Sequence, residues 1–273
     1  MNKNAQTGRP SLGLAFRALA ASECRALQRT LATREDRQKG IHEARKSCRR
    51  LRAMLPFLPS EQPTEAIDQA LRAMVHGLSP QRDAHIAART ARQLATRHAA
   101  LITPKVIETL ESHSAQVLDE ALRDDPDWQH RRVQANRIID TLEVLPWQAI
   151  RSAAVKKSLK KSARKMDKAQ EQAQAECTPE ASHRWRRRAR KLRYQLELVR
   201  KARRMASLKK RKTKIYGDWA KRLSHTTDQL GWRQDVQIFL QTIEQLPDST
   251  NVRALRQELE SSTQNWPEAD SQP

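Results

Sequence analysis

The chain has 273 residues, and 52 Lys plus Arg against 31 Asp plus Glu give it a formal charge of +21 at pH 7. Six glycines and 4 % aromatic residues disfavour a β-sheet protein. No apolar stretch is long enough to span a bilayer, and the polar residues 1–10 do not resemble a secretory signal, so we expect a cytoplasmic protein. We expect the three cysteines, Cys24, Cys48 and Cys177, to be reduced packing residues.

The apolar periodicity predicts an all-α chain whose helices end at proline-bearing turns. The polar segment 124–127 is the predicted boundary between two halves, about 11–125 and 146–262, and residues 128–145 fit either half. The tail, 263–273, is expected to be disordered. In chain order, the predicted helices cover about 11–33, a segment that contains 42–52 and ends near 56–63, then 65–78, 81–101, 105–122, 147–174, a helix that begins near 179, and then 208–230, 233–246 and 252–262.

A basic motif, His-Glu-Ala-Arg-Lys-Ser-Cys-Arg-Arg-Leu-Arg, occupies residues 42–52 of the second predicted helix. At about 100° per residue, its cations share one side of the helix and its apolar residues share the other. The cations, which we call the first motif stripe, are His42, Arg45, Lys46 and Arg49, with Arg50 and Arg52 on the flanks. The predicted buried face consists of Ala44, Cys48, Leu51, Leu55 and Leu58.

The motif recurs 141 residues later, as His-Arg-Trp-Arg-Arg-Arg-Ala-Arg-Lys-Leu-Arg over 183–193, and every basic position of the first copy is basic in the second. Trp185 is predicted to face the core, and Tyr194 and Glu197 to continue the outward face. No carboxylate lies between His183 and Glu197, although like charges at i and i+4 repel each other. This pattern predicts a bound anion that supplies the counter-charge. The second motif stripe consists of His183, Arg186, Arg187, Arg190, Lys191 and Arg193.

A third basic element precedes the second motif. Residues 151–215 contain 24 Lys plus Arg and five Asp plus Glu, so most of the excess charge lies in this segment. If its first helix packs antiparallel to the second motif helix, their basic sides border one groove. Lys201 and the basic segment 209–214 are interpreted as an extension of that groove, with a solvated basic turn as the alternative. The basic residues of the first helix are Lys156, Lys157, Lys160, Lys161 and Arg164.

These spaced cations fit a flexible polyanion that has no bases. Arg binds phosphate oxygens through two parallel hydrogen bonds, whereas Lys acts as a mobile point charge. A binder of single-stranded nucleic acid more often adds aromatic rings for base stacking, and only Tyr194 is predicted to lie outward. Binding to nucleic-acid backbones stays open as the alternative, because both ligands produce the same electrostatic signature.

Neither catalysis nor metal binding is expected. An enzyme acting on polyphosphate or nucleotides needs clustered carboxylates for Mg²⁺ or a Gly-rich phosphate loop, and the sequence shows neither, so Asp83 and Asp235 are interpreted as structural. The histidines lack the i, i+4 spacing of a helical zinc motif, and no metal or cofactor is predicted. We expect His42 and His183 to donate hydrogen bonds to phosphate or to orient Arg side chains. If they must be protonated, affinity falls as pH rises through the ordinary histidine range.

The duplicated motif resembles the CHAD domain (conserved histidine α-helical domain) over about 11–262. The second copy extends into Leu-Arg-Tyr-x-x-Glu, and further landmarks are Arg82-Asp83 and Asp228-Gln229-Leu230-Gly231 followed by Asp235. The usual Leu-Gly before the Arg-Asp pair is absent. The resemblance implies an all-α fold of two four-helix bundles, related by internal duplication and a pseudo-two-fold axis, with a basic central groove.

The resemblance also implies a function: non-catalytic binding of inorganic polyphosphate and location at polyphosphate granules. Some family members are fused to a triphosphate-hydrolysing domain that bears a Glu-x-Glu-x-Lys motif. The 273 residues do not contain that motif.

Overall fold

The computed structural model describes residues 10–59, 61–62, 64–96 and 102–245. Within these residues the regular structure consists of α-helices and short 3₁₀ turns with no strand, which confirms the all-α prediction. The 3₁₀ turns are Leu55–Phe57, Pro126–Trp128 and Trp147–Ala149. The helices are α1 (Leu12–Ala32), α2 (Arg37–Met54), α3 (Glu65–Gly77), α4 (Ser79–Ala95), α5 (Pro104–Asp124), α6 (Gln129–Glu143), α7 (Ser152–Glu176), α8 (Pro179–Met205) and α9 (Lys210–Glu244).

Local capping explains where several helices begin. The side chains of Ser11, Asp36 and Thr178 cap α1, α2 and α8 by accepting a hydrogen bond from a first-turn backbone N–H at 2.9–3.2 Å. Such a cap contributes about 1 kcal/mol. Proline occupies the first turn of α4, α5 and α8, where its missing N–H costs nothing. The predicted helix starts near 11 and 179 are therefore confirmed.

The predicted break between 230 and 233 is wrong, because α9 runs through Gly231 as one helix. Beyond Gly231, Val236, Phe239 and Leu240 are buried in one apolar cluster. Burying them contributes more than the roughly 1 kcal/mol that a helical glycine costs, so the helix continues. The predicted helix 252–262 and tail 263–273 lie outside the described residues.

Two other predicted boundaries shift. The helix expected over 81–101 ends at Ala95, and residues 97–101 lie outside the described part of the chain. The helix expected from 147 begins at Ser152, because Trp147 belongs to a 3₁₀ turn. There the Trp147 indole is buried and donates to the Leu142 carbonyl oxygen at 2.7 Å.

The described residues form two compact units. Unit 1 comprises residues up to Gly77 together with 128–227. In it α1 packs against α2, α6 and α8, α2 packs against α3 and α8, and α7 packs against α8. The largest fully buried side chains of this unit are Phe16, Leu27, Leu31, Ile41, Leu51, Met54, Phe57, Leu71 and Trp147.

Within the described residues, unit 2 comprises 78–96, 102–127 and 228–245. Its core joins α4, α5 and the last part of α9 through Ala87, Ala88, Ala91, Leu94, Ile102, Leu110, Val236, Phe239, Leu240 and Ile243. Buried Asp235 accepts a hydrogen bond from Arg82 and one from Arg89, each at 3.1 Å. The interpretation of Asp235 as a structural carboxylate agrees with this geometry.

The compact units differ from the two halves predicted from the repeat, because each unit draws on both halves. The halves, about 11–125 and 146–262, therefore stay a prediction about the repeat, as do the pseudo-two-fold axis and the central groove. No helix in the described residues is long and apolar enough to cross a membrane.

Candidate anion-binding surface

The two motif helices, α2 and α8, pack against each other within unit 1. Buried Gln195 on α8 donates through Nε2 to the Ala53 carbonyl oxygen on α2 at 3.2 Å. A short connection, Cys177–Thr178, folds α8 back along α7, so the two helices pack antiparallel, as the groove prediction required. The three basic elements predicted from the sequence therefore belong to one compact unit.

The predicted binding residues fall into three groups by exposure. The exposed group consists of His42, Lys156, Lys157, Lys160, Lys161, Arg164, Arg187 and Lys201. The half-buried group consists of Lys46, Arg49, Arg50, Arg52, His183, Arg186, Arg190, Lys191 and Arg193. Arg45 is buried. Within the described residues, the Lys and Arg side chains of the exposed group form no ion pair with the protein, so their charges are available to a ligand.

The prediction that Arg45 lies on the outward face is wrong. Its exposed fraction is 6 %, and its Nη1 donates to the Val75 carbonyl oxygen of α3 at 2.6 Å. Because α3 packs against α2, this position of the stripe lies under a neighbouring helix. Arg45 is therefore a structural cation that joins α2 to α3.

The first motif stripe contains its own carboxylate. Lys46 Nζ lies 3.1 Å from Glu43 Oε1, and His42 Nε2 lies 3.9 Å from the same oxygen. Glu43 therefore offsets part of the positive charge on α2. The second stripe, in contrast, has no carboxylate between His183 and Glu197, so its positive charge is more concentrated.

Tyr194 corrects a second prediction, because its ring is buried rather than outward, with an exposed fraction of 6 %. The ring contacts one cation from each motif helix: the guanidinium carbons of Arg50 and Arg193 lie 5.8 and 5.1 Å from its centroid. Arg50 also pairs with Glu23 on α1 at 3.3 Å, and Arg193 donates to Ser224 on α9 at 2.9 Å. These contacts orient both arginines.

Asp68 of α3 organises a second cluster of motif cations. Arg52 binds its carboxylate through two hydrogen bonds of 2.8 and 3.1 Å, and Arg72 adds a third at 3.1 Å. Burial opposes ionisation of Asp68, but the hydrogen bonds and charge of Arg52 and Arg72 outweigh it and lower its pKa. Burial lowers the pKa of Lys191 despite the opposing charge of Asp68. The ammonium group of Lys191 is therefore destabilised in the folded protein.

Asp68→Asn is expected to lower the free energy of unfolding by about 1–2 kcal/mol at neutral pH. Because the pKa of Asp68 is lower when folded than when unfolded, its ion pairs stabilise the protein above the unfolded value, about 3.9. This stabilisation disappears as pH falls through the folded pKa, so wild type and variant should converge in acid. Urea unfolding between neutral pH and pH 3 measures the difference.

Asp140→Asn is the matched control for this prediction, because Asp140 is exposed on α6 of the same unit. It should leave stability unchanged at every pH. A gap between wild type and Asp68→Asn that does not shrink in acid would contradict the assigned role of the Asp68 ion pairs.

The basic face of α8 continues beyond the motif. Arg186, Arg190, Arg193, Glu197, Arg200 and Arg204 follow one another at intervals of three or four residues and share one side of the helix. Beyond Arg193 this side faces the first part of α9 across a cleft of about 930 Å³. The charged residues that line it are Glu197, Arg200, Arg204, Lys210, Lys214, Asp218 and Lys221.

The sequence interpretation anticipated this cleft only in part. The basic segment 209–214 was expected to extend the groove, and the cleft contains two of its lysines. Lys221 was missed. A signal for it exists, because Lys210, Lys214 and Lys221 recur at the spacing of one helix face.

The cysteines are free in the structure, and two of them are packing residues as expected. Burial raises the pKa of both Cys24 and Cys48 to about 12, so these thiols stay protonated at neutral pH. The prediction is wrong for Cys177, which is exposed at the end of α7. It adopts a left-handed backbone conformation there, with φ of 50°, and ends the helix.

Comparison with known proteins shows the family. No curated protein matches the chain. The crystal structure of the CHAD domain from the plant Ricinus communis has a similar fold, with a TM-score of 0.65 and 18 % sequence identity over 97 % of this chain and 91 % of that chain. The sequence profile of the CHAD domain matches residues 16–244, a segment that includes both motif copies. The chain therefore belongs to the CHAD domain family.

Proposed function

We propose that this protein binds inorganic polyphosphate through α2, α7 and α8 and performs no chemistry on it. The observation that carries the proposal is the set of exposed cations on α7 and α8 that have no ion pair within the described residues. Such a surface repels itself until a polyanion supplies the counter-charge. Arg side chains on α8 suit bidentate binding of phosphate oxygens, and the Lys side chains of α7 add mobile point charges.

The position of Tyr194 supports polyphosphate over single-stranded nucleic acid. This ring was the aromatic group predicted to lie beside the stripes, and it is buried between Arg50 and Arg193. It therefore offers no face for base stacking, which contributes about 1–3 kcal/mol per base in proteins that bind single strands. Polyphosphate has no bases, so the burial of this ring does not reduce its binding free energy.

The first experiment measures binding of long-chain polyphosphate at about 150 mM salt, near physiological ionic strength. Single-stranded RNA and duplex DNA serve as competitors at equal phosphate concentration. We expect tight binding that excess nucleic acid does not displace. Ready displacement by RNA or DNA would contradict this proposal and favour a protein that binds nucleic-acid backbones in general.

Two further parts of the proposal have separate tests. Incubation with polyphosphate and Mg²⁺ should release no phosphate and leave the chain length unchanged, and turnover by the purified protein would overturn the non-catalytic role. In cells that accumulate polyphosphate, we expect a fluorescent fusion to collect at cytoplasmic granules. Persistence of that pattern in cells unable to make polyphosphate would contradict it.

A further inference from the structure

We infer that the cleft between α8 and α9 is a second phosphate-binding segment that continues the α8 stripe, so that affinity increases with polyphosphate chain length. This inference rests on the proposed function. It adds a surface outside the two motifs and a preference for long chains.

Two rows of cations face each other across the cleft. Arg200 and Arg204 lie on the α8 side. The α9 side presents Lys210, Lys214 and Lys221, which share one face of that helix. At the cleft the two helices therefore present like charges to each other. Within the described residues none of the five forms an ion pair, so no carboxylate of the protein is bound to them.

The carboxylates of the cleft do not neutralise it. Glu197 Oε1 lies 3.7 Å from Arg193 Nε, so its charge is directed mainly to the preceding turn of α8. Asp218 is exposed and forms no ion pair in the described part of the chain. Five cations against two carboxylates leave a net positive cleft, which concentrates anions.

The packing of α8 against α9 gives the cleft a defined shape. Arg203 is buried, and its guanidinium donates to Thr213 Oγ1 and to the Lys209 carbonyl oxygen at 3.3 and 3.4 Å. The turn between the helices is closed by a hydrogen bond from Leu208 N to Arg203 O at 2.9 Å, with Ser207 in the left-handed region at φ of 51°. The cleft is therefore bounded by a fixed turn rather than by a loose loop.

Gly217 lines the cleft and lies against the Arg200 side chain. A Cβ atom at this position would lie 3.1 Å from Nε and 3.3 Å from Cζ of Arg200. Its absence lets the Arg200 guanidinium lie directly against α9. At the other end, the hydrogen bond from Arg193 to Ser224 joins the motif stripe to the wall of the cleft. The motif and the cleft therefore share Arg193 as a boundary residue.

The rows predict a dependence on chain length. From Arg186 to Arg204 the α8 stripe spans about 27 Å at 1.5 Å per residue. A short chain occupies either the motif or the cleft, whereas a long chain bridges both and gains affinity because the second contact is intramolecular. Removing the cleft cations should therefore lower the affinity for long polyphosphate chains more than the affinity for short ones.

The test compares wild type with the triple variant Lys210→Ala, Lys214→Ala, Lys221→Ala, using inorganic tripolyphosphate and long-chain polyphosphate as probes. These lysines are exposed, so the fold should be retained, as circular dichroism and thermal unfolding would show. We expect roughly a tenfold or greater loss of affinity for the long chain, the scale of about three lost phosphate contacts, and about twofold or less for tripolyphosphate. The matched control, Arg17→Ala, Arg25→Ala, Arg29→Ala, removes three exposed charges of α1 and should change both affinities little.

Three results would overturn the inference. Unchanged affinity for the long chain would show that the cleft does not contact it. An equal loss for both probes would make the cleft an isolated site for short anions. An equal loss of affinity in the α1 control would show that the effect depends only on the net charge of the protein. Failure of the proposed function is distinguishable, because wild type itself would then not bind polyphosphate.

Discussion

The variant Arg49→Ala, Arg186→Ala, Arg187→Ala, Arg190→Ala is expected to bind long-chain polyphosphate roughly a hundredfold more weakly than wild type at about 150 mM salt. The four positions are exposed or half-buried members of the two motif stripes. Each lost phosphate contact also removes about 0.7 to 0.9 from the slope of log K against log salt, so the slope should flatten by about three units. Titrations at several salt concentrations measure both quantities.

The matched control removes four exposed arginines of the same compact unit, at Arg17, Arg25, Arg29 and Arg137. It carries the same net charge as the stripe variant, so a specific site predicts little loss in the control. Equal losses of affinity in both variants would show that binding depends only on the overall electrostatic field of the protein. Retained affinity and slope in a folded stripe variant would place the site elsewhere.

Arg45 is left out of this variant although the sequence pattern includes it. Its guanidinium donates to the Val75 carbonyl oxygen, so Arg45→Ala would remove a hydrogen bond of the α2–α3 interface. Loss of binding would then be confounded with loss of packing. We expect the four-site variant to keep its fold, which thermal unfolding checks.

Asp235→Ala is expected to destabilise unit 2 by about 3 kcal/mol, the largest stability effect that the structure predicts. The Asp235 carboxylate has an exposed fraction of 10 % and accepts from Arg82 and Arg89. Alanine therefore removes the carboxylate that these two arginines share and leaves the mostly buried Arg82 with Asp83 alone, at 2.8 Å. This interaction links α4 to the last part of α9. Hydrogen exchange in α4, α5 and the end of α9, together with urea unfolding, measures the loss.

Asp119→Ala is the control for that prediction, because Asp119 is an exposed aspartate on α5 in unit 2. It should change stability by less than about 0.5 kcal/mol, as surface substitutions usually do. If Asp235→Ala changed stability as little as the control does, the ion pairs of Asp235 would contribute nothing net. If protection were lost only in α1 and α2, the assigned place of the interaction would be wrong.

The helices themselves were predictable from the sequence because their signals are local. Ser11, Asp36 and Thr178 cap the helices that follow them, and apolar periodicity identifies the buried faces of α2 and α8. The predicted buried residues of the first motif helix, from Ala44 to Leu58, are buried. The duplicated motif also identified the family, since the matched segment 16–244 contains both copies.

What a sequence pattern does not contain is the identity of the neighbouring helix. Helical spacing placed Arg45 beside Arg49 on one side, but α3 packs against α2, and buried Arg45 donates to the Val75 carbonyl oxygen. Tyr194 was assigned outward for the same reason and is buried between Arg50 and Arg193. The angular position of a residue around the helix axis therefore assigns more side chains to the exposed face than remain exposed once neighbouring helices have packed.

The continuity of α9 and the α8–α9 cleft likewise required the tertiary structure. A single glycine signals a local break, and only the burial of Phe239 and its neighbours in unit 2 decides that Gly231 stays helical. The cleft arises because two rows of cations on consecutive helices meet through the buried Arg203 and the turn at Ser207. Amino-acid order thus determined most of the helices, because capping and periodicity signals lie within a few residues of one another. It also determined the charge, through composition, and the family, through the repeated motif. Helix packing decided which of the cations remain at the surface, since burial depends on contacts between separate helices.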